Sequence, residues 1–155
     1  MDDLPACGIY RTRHSLSDEL PAGRLVFFHN HGEPGPGVYL PASWNLNRAQ
    51  WQKQGVLLVE PDWARQLEPL APEGFYRVRE AFHCCAKECR RFEADLLVQL
   101  GYDAQAHHIL FVPEWTQAGL AIPESGTLID AERVSRLAPL KVVEHAAHPG
   151  PEEPQ

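Results

Sequence analysis

Three of the chain's four cysteines stand together in the segment HCCAKEC, which covers residues 83–89. Thiolates and imidazoles are the ligands that zinc prefers in proteins, and a thiolate is also a nucleophile and a redox group. Alternate residues of an extended chain share a face, so His83 and Cys85 are predicted to point the same way. A helical turn after them would bring Cys89 to the same side. The spacing predicts a metal trio of His83, Cys85 and Cys89. The candidates for a further ligand are Cys7, His29 and His31.

Two other interpretations of this segment stay open. Read as a helix, the segment places Cys85, Cys89 and Phe92 on one apolar stripe, where thiols pack as small hydrophobes and need no cofactor. This interpretation, with no cofactor, is the favoured one. Redox chemistry is the third, because nearby arginines can lower a thiol pKa. A bridge between Cys84 and Cys85 would be strained, since neighbouring Cα atoms lie about 3.8 Å apart and a disulfide usually needs about 4.4 Å or more.

A second group of ligands is the pair His29 and His31, followed by Glu33. If the strand continued this far, the three side chains would line one face, as in sites that hold iron, manganese or zinc. Over nine residues the spacing Gly23, five residues, His29, Asn30, His31 resembles the start of the cupin metal motif, which implies a metal site. The segment GEPGPG stands where that family has its glutamate. Two ordinary histidines at a strand end are the favoured alternative.

Short apolar runs must position these side chains, because fourteen prolines and eleven glycines divide the chain. The run LVFF is apolar on both faces, which is typical of a strand inside a sheet or between layers. Two short helices are predicted, each ended by a proline, at residues 61–69 and 130–139. Residues 43–55 fit no element clearly. The fold is predicted to be mainly β, a small antiparallel barrel or sandwich with a few short helices. The alternative is an α+β fold with one helix spanning about residues 85–100.

Composition limits the classes of partner. A chain of 155 residues predicts one globular domain, residues 1–147, before a disordered, acidic, proline-rich tail at 148–155. The net charge of −7 argues against nucleic acid as a partner. The N-terminal residues resemble no export signal and no apolar run is long enough to span a bilayer, so a cytoplasmic location without membrane contact is predicted.

The sequence contains none of the common nucleotide-binding, hydrolase or metalloprotease motifs. Trp44 and Trp51 flank a proline-glycine loop and a poorly patterned segment, where an amphipathic aromatic side chain can anchor a partner. The predicted function is therefore a small cytoplasmic binding or accessory domain for a protein partner, not an enzyme. The alternative is a protein that binds zinc or another metal, or a thiol- or metal-dependent enzyme, using the cluster at 83–89 or the histidines at 29–31.

Overall fold

The computed structural model describes residues 3–32 and 34–145. Within them the chain is mainly antiparallel β, which confirms the predicted fold class. The strands are β1 Gly8–Arg11, β2 Leu25–His29, β3 Gly37–Tyr39, β4 Pro41–Asn45, β5 Arg48–Trp51, β6 Val56–Leu57, β7 Glu68–Pro69, β8 Gly74–Val78, β9 Phe82–His83, β10 Arg91–Phe92, β11 Leu97–Tyr102, β12 His108–Phe111, β13 Glu114–Thr116, β14 Gly119–Ala121, β15 Thr127–Leu128 and β16 Leu137–Pro139. The helices are α1 Pro61–Arg65 and the 3-10 helix Ala131–Arg136. The tail predicted for 148–155 lies outside the described residues.

Two five-stranded antiparallel sheets form the framework. The first has the strand order β6-β3-β2-β1-β7 and the second the order β15-β12-β11-β8-β16. Three hairpins, β4–β5, β9–β10 and β13–β14, form small sheets of their own. Neither large sheet closes into a barrel, so the arrangement corresponds to the sandwich-like form of the prediction. Among the described residues, neither helix is long and apolar enough to cross a membrane.

Strand β2 contributes to two hydrophobic cores, as expected of a run that is apolar on both faces. Leu25 belongs to the larger core, which the second sheet dominates, whereas Val26 and Phe28 belong to the smaller one. The smaller core lies against helix α1, through Trp63 and Ala64. The three β2 side chains are fully buried, so the strand is fixed from both sides. This fixes the position of the residues at its end.

The alternative of a single helix over about residues 85–100 is wrong. Asp95 has a left-handed φ of 68°, which a helix does not tolerate, and strand β11 begins two residues later. Strand β11 pairs with β8 on one side and β12 on the other, which buries Val98 and Leu100 completely. The segment without an assignment, residues 43–55, contains the hairpin β4–β5. Its turn residues Leu46 and Asn47 have φ values of 50° and 66°, as in the tight turns that suit a hairpin's twist.

Candidate metal centres

The pairing of β1 with β2 determines which side chains meet at the end of the first sheet. Gly8 lies opposite Phe28 in this antiparallel register, so Cys7, one residue before β1, lies beside His29, the last residue of β2. His31 follows two residues later, and its ring centroid lies 4.0 Å from that of His29. His29 is buried, whereas Cys7 and His31 are exposed. One buried and two accessible ligand side chains therefore meet at a sheet end.

The distances within this Cys7–His29–His31 group are those of a zinc site. The Cys7 Sγ atom lies 3.5 Å from His29 Nδ1 and 3.7 Å from His31 Nδ1. A tetrahedral zinc ion with bonds of about 2.3 Å to sulfur and about 2.05 Å to nitrogen separates those two ligand atoms by about 3.6 Å. The same atoms lie within hydrogen-bonding reach, so a shared proton can hold the group together where an ion does not.

Asn30 connects the members of this group. Its backbone N–H donates a hydrogen bond to Cys7 Sγ at 3.3 Å. Its Oδ1 atom lies 3.1 Å from the same sulfur and 2.8 Å from His31 Nδ1. Its Nδ2 group donates to the Pro5 carbonyl at 3.1 Å, which fixes the amide. Asn30 thus holds the thiol and the second imidazole in place, and its Oδ1 contacts with Sγ and Nδ1 would have to give way if an ion bound those two atoms.

The second cluster, Cys84–Cys85–Cys89, lies in the loop between β9 and β10. Cys85 Sγ is 3.6 Å from Cys84 Sγ and 4.0 Å from Cys89 Sγ. Neighbouring residues of an extended chain point to opposite faces, but strand β9 ends at His83 and the chain then bends, which brings the thiols of Cys84 and Cys85 to one side. The left-handed φ of 57° at Glu88 completes the turn that returns Cys89 to them.

The thiols of this loop differ in their acidity. The pKa of Cys85 is lowered because the backbone N–H of Cys89, the Cys84 thiol and the backbone N–H of Lys87 donate to its sulfur. The pKa of Cys89 is raised by its hydrogen bond to Cys85 and by that residue's negative charge. Cys85 is therefore the first thiol of this pair to become a thiolate.

The predicted ligands fall into two separate groups. Cys85 and Cys89 meet as expected, but their third member in the described residues is Cys84 instead of His83. The Nε2 atom of His83 lies 3.6 Å from a Glu88 carboxylate oxygen.

The three candidates for a further ligand, Cys7, His29 and His31, form a group of their own. Glu33, named with the two histidines, lies outside the described residues. The pairing of Cys7 with His29 follows from the register of β1 with β2, and the apolar run LVFF predicted the second of these strands.

A cavity of about 300 Å³ opens beside Cys7, which forms part of its lining. Phe27 and Trp51 provide an apolar wall, with ring centroids 5.7 Å apart. Arg48 and Glu73 are the charged residues of the lining. Burial raises the pKa of Glu73, whose carboxylate accepts a hydrogen bond from the backbone of Ala49 at 2.9 Å. A small molecule with apolar and polar parts would fit this cavity next to the Cys7 thiol.

The two tryptophans predicted to bind a partner are only partly open. Trp44 is 40% exposed and donates its indole N–H to the Tyr102 carbonyl at 2.8 Å. Trp51 is half-buried against the cavity. The tryptophan most open to solvent is Trp115, 83% exposed on hairpin β13–β14 and directly opposite Leu120, which is 53% exposed.

Comparisons with protein-family models, curated proteins and solved structures found no match to this chain. Its function therefore has to be inferred from the side chains that the fold brings together. The Cys7–His29–His31 group combines the ligand types and the ligand spacing of a metal centre.

Proposed function

We propose that this protein binds one zinc ion through Cys7, His29 and His31. The observation that supports the proposal is the pair of sulfur–nitrogen distances, 3.5 and 3.7 Å, on either side of the separation that a zinc tetrahedron imposes. One thiolate and two imidazoles form a mixed set that suits zinc, which is intermediate in softness. The ligand atoms are already close together, so little chain entropy is lost when the ion binds.

The three ligands found among residues 3–32 and 34–145 leave the fourth position of a zinc ion to water or to a bound molecule. The cavity lined in part by Cys7, though by neither histidine, provides space for a small molecule next to the thiol. Its apolar wall and the charges of Arg48 and Glu73 favour an amphipathic ligand. An open-coordination site beside a cavity is the arrangement of metal sites that bind or activate small molecules, so the proposed class is a metal-binding protein of this kind.

Zinc binding is tested by competition with a fluorescent chelator and by elemental analysis. The parent for these measurements is Cys85→Ser/Cys89→Ser, so that the second thiol cluster contributes no zinc. This parent is expected to hold about one zinc per chain. Adding Cys7→Ala and His31→Ala should weaken zinc binding by more than about a hundredfold. Loss of a residue that only supports a metal ligand weakens binding by at most about that factor.

The matched control is His14→Ala, since His14 is an exposed histidine on another loop. It should bind zinc as the parent does. Equal zinc affinity of the Cys7→Ala/His31→Ala variant and the parent would refute the proposed site.

A second candidate function, protein binding, is supported by the exposed pair Trp115 and Leu120. The two side chains face solvent from opposite positions of one short hairpin, which makes a compact apolar contact surface. Trp44 remains a candidate contact, but its indole N–H is already used by the Tyr102 carbonyl. The half-buried Trp51 is less available. A protein partner with an apolar patch is therefore proposed for the hairpin rather than for the two predicted tryptophans alone.

The double variant Trp115→Ser/Leu120→Ser tests this surface. Affinity capture with quantitative mass spectrometry is expected to show a partner that binds the wild type and is reduced at least about tenfold with the variant, as for a hot-spot pair. The thermal midpoint should stay nearly unchanged because both residues are exposed. The control is Val59→Ser, since Val59 is 69% exposed elsewhere on the surface. Identical captured proteins for wild type and variant would eliminate the hairpin as a binding surface.

We also propose the cytoplasm as the compartment. All four cysteines are free thiols, including the close pair Cys85 and Cys89. Such thiols persist where the surroundings are reducing.

A further inference from the structure

We propose that Cys84, Cys85 and Cys89 form a second metal site, which takes a monovalent thiophilic ion, Cu(I), in a three-coordinate sulfur environment. The three thiols come from one loop of seven residues, closed at its base by the pairing of His83 with Arg91. This site shares no residue with the Cys7–His29–His31 group. The two proposals therefore stand or fall separately.

The separations of the sulfur atoms are close to those that a single bound ion imposes. Three thiolates bound at about 2.3 Å to one ion lie about 4.0 Å apart in a trigonal plane and about 3.8 Å apart in a tetrahedron. The measured separations are 3.6 Å between Cys84 and Cys85 and 4.0 Å between Cys85 and Cys89. All three ligand atoms lie within 4.8 Å of one another. Small shifts of the three side chains, of which Cys89 is the exposed one, are therefore enough to surround an ion.

The all-sulfur donor set of this site favours copper over a closed, four-ligand zinc site. A zinc ion in a closed site takes four ligands, and no histidine, cysteine or carboxylate of residues 3–32 and 34–145 joins the three thiols within that limit. His83, the nearest candidate by sequence, lies beside Glu88 instead. Cu(I) is the softer ion and is satisfied by three thiolates alone. The set of donor atoms is thus all sulfur, in contrast to the mixed sulfur and nitrogen set of the first group.

Hydrogen-bond donors and charged side chains surround the three sulfur atoms. The backbone N–H of Arg90 donates to Cys84 Sγ at 3.3 Å. Its guanidinium is held by Thr127 at 2.9 Å and over the Phe92 ring at 5.2 Å, so a fixed positive charge lies on this loop. Lys87 adds a second positive charge to the same loop, and Glu88 adds one negative charge. A centre of three thiolates and one monovalent ion carries a net charge of −2, which these cations offset in part.

The exposure of the thiols indicates how the ion would arrive. Cys84 is 2% exposed and lies beneath the loop, whereas Cys89 is exposed at its surface. A copper ion held between them is open to attack from the Cys89 side. It can therefore be exchanged with small cytoplasmic thiols such as glutathione by stepwise replacement of one sulfur ligand at a time.

The test is an anaerobic titration of reduced protein with Cu(I) supplied as its bicinchoninate complex. The parent is Cys7→Ala/His31→Ala, which removes the first group, so a failure of the zinc proposal does not affect the result. This parent is expected to take about one Cu(I) per chain from the coloured complex. Adding Cys89→Ser should weaken binding by more than about a hundredfold. Cys89 is exposed, so this change is compatible with the fold, and an unchanged circular dichroism spectrum checks that.

X-ray absorption at the copper edge gives a second readout. Three sulfur ligands and no nitrogen ligand are expected for the loaded parent. A nitrogen ligand, a failure of the reduced parent to take copper, or equal copper affinity with and without Cys89 would each overturn the proposal. Preferential retention of zinc over Cu(I) by the parent would overturn it as well.

Discussion

The substitution Phe92→Ala is expected to lower the free energy of unfolding by about 3–5 kcal/mol, the cost of removing a fully buried aromatic side chain. Phe92 is 0% exposed and its ring stacks on that of Phe82, with centroids 5.2 Å apart. These two residues lie opposite each other in the β9–β10 hairpin. The loop with the three thiols begins and ends at this hairpin. Equilibrium unfolding in urea, followed by circular dichroism, measures the loss.

The control for this prediction is the neighbouring change Arg91→Ala. Arg91 is exposed and its guanidinium pairs with Glu93 at 2.9 Å on the surface. Exposed ion pairs contribute little, so the free energy of unfolding should change by about 0.5 kcal/mol or less. A loss below about 1 kcal/mol for Phe92→Ala would show that its site collapses without a cavity, contrary to the packing described.

Zinc is expected to stabilise the protein by about 2.7 kcal/mol when its free concentration is one hundred times the dissociation constant. The physical reason is that Cys7 and His29 come from two strands, so the assembled ligands exist only in the folded chain. Chemical unfolding of the Cys85→Ser/Cys89→Ser parent, with and without zinc, measures the increase. The chelated protein should return to the lower value.

The variant that adds Cys7→Ala and His31→Ala to this parent provides the control. Its free energy of unfolding should not respond to zinc at the same concentrations. A response equal to that of the parent would mean that zinc acts elsewhere on the chain. No response in the parent, despite stoichiometric binding, would mean that zinc also binds the unfolded chain.

The fold class could be predicted from the sequence because short apolar runs, and the prolines and glycines that end them, determine the structure of the residues next to them. Strand β2 and the helix that begins at Pro61 could each be predicted from residues adjacent in the chain. The hairpin β4–β5 could not be read, because its turn places Leu46 in a left-handed conformation that a leucine rarely adopts. The glycine that usually marks such a turn is absent. Its four exposed positions in β4 also give no apolar alternation.

The candidate sites were predicted in part for a similar reason. The types of ligand and the closeness of Cys85 to Cys89 follow from local spacing. The grouping of Cys7 with His29, which are 22 positions apart in the chain, depends on the pairing of β1 with β2. No local sequence pattern predicts that register. The position of Cys84 depends on where strand β9 ends, because alternation of side chains applies only while the chain stays extended.

The division of β2 between two cores affects how the molecule opens. Leu25 and Val26 are neighbours in the chain, yet each is fully buried in a different core. The Leu25 backbone N–H also donates to the Ala104 carbonyl at 2.8 Å, beyond the end of strand β11. Loss of packing in either core would therefore displace β2, which also belongs to the other core. We therefore expect the two cores to unfold as one cooperative unit and partial opening to be confined to hairpins and loops outside both cores.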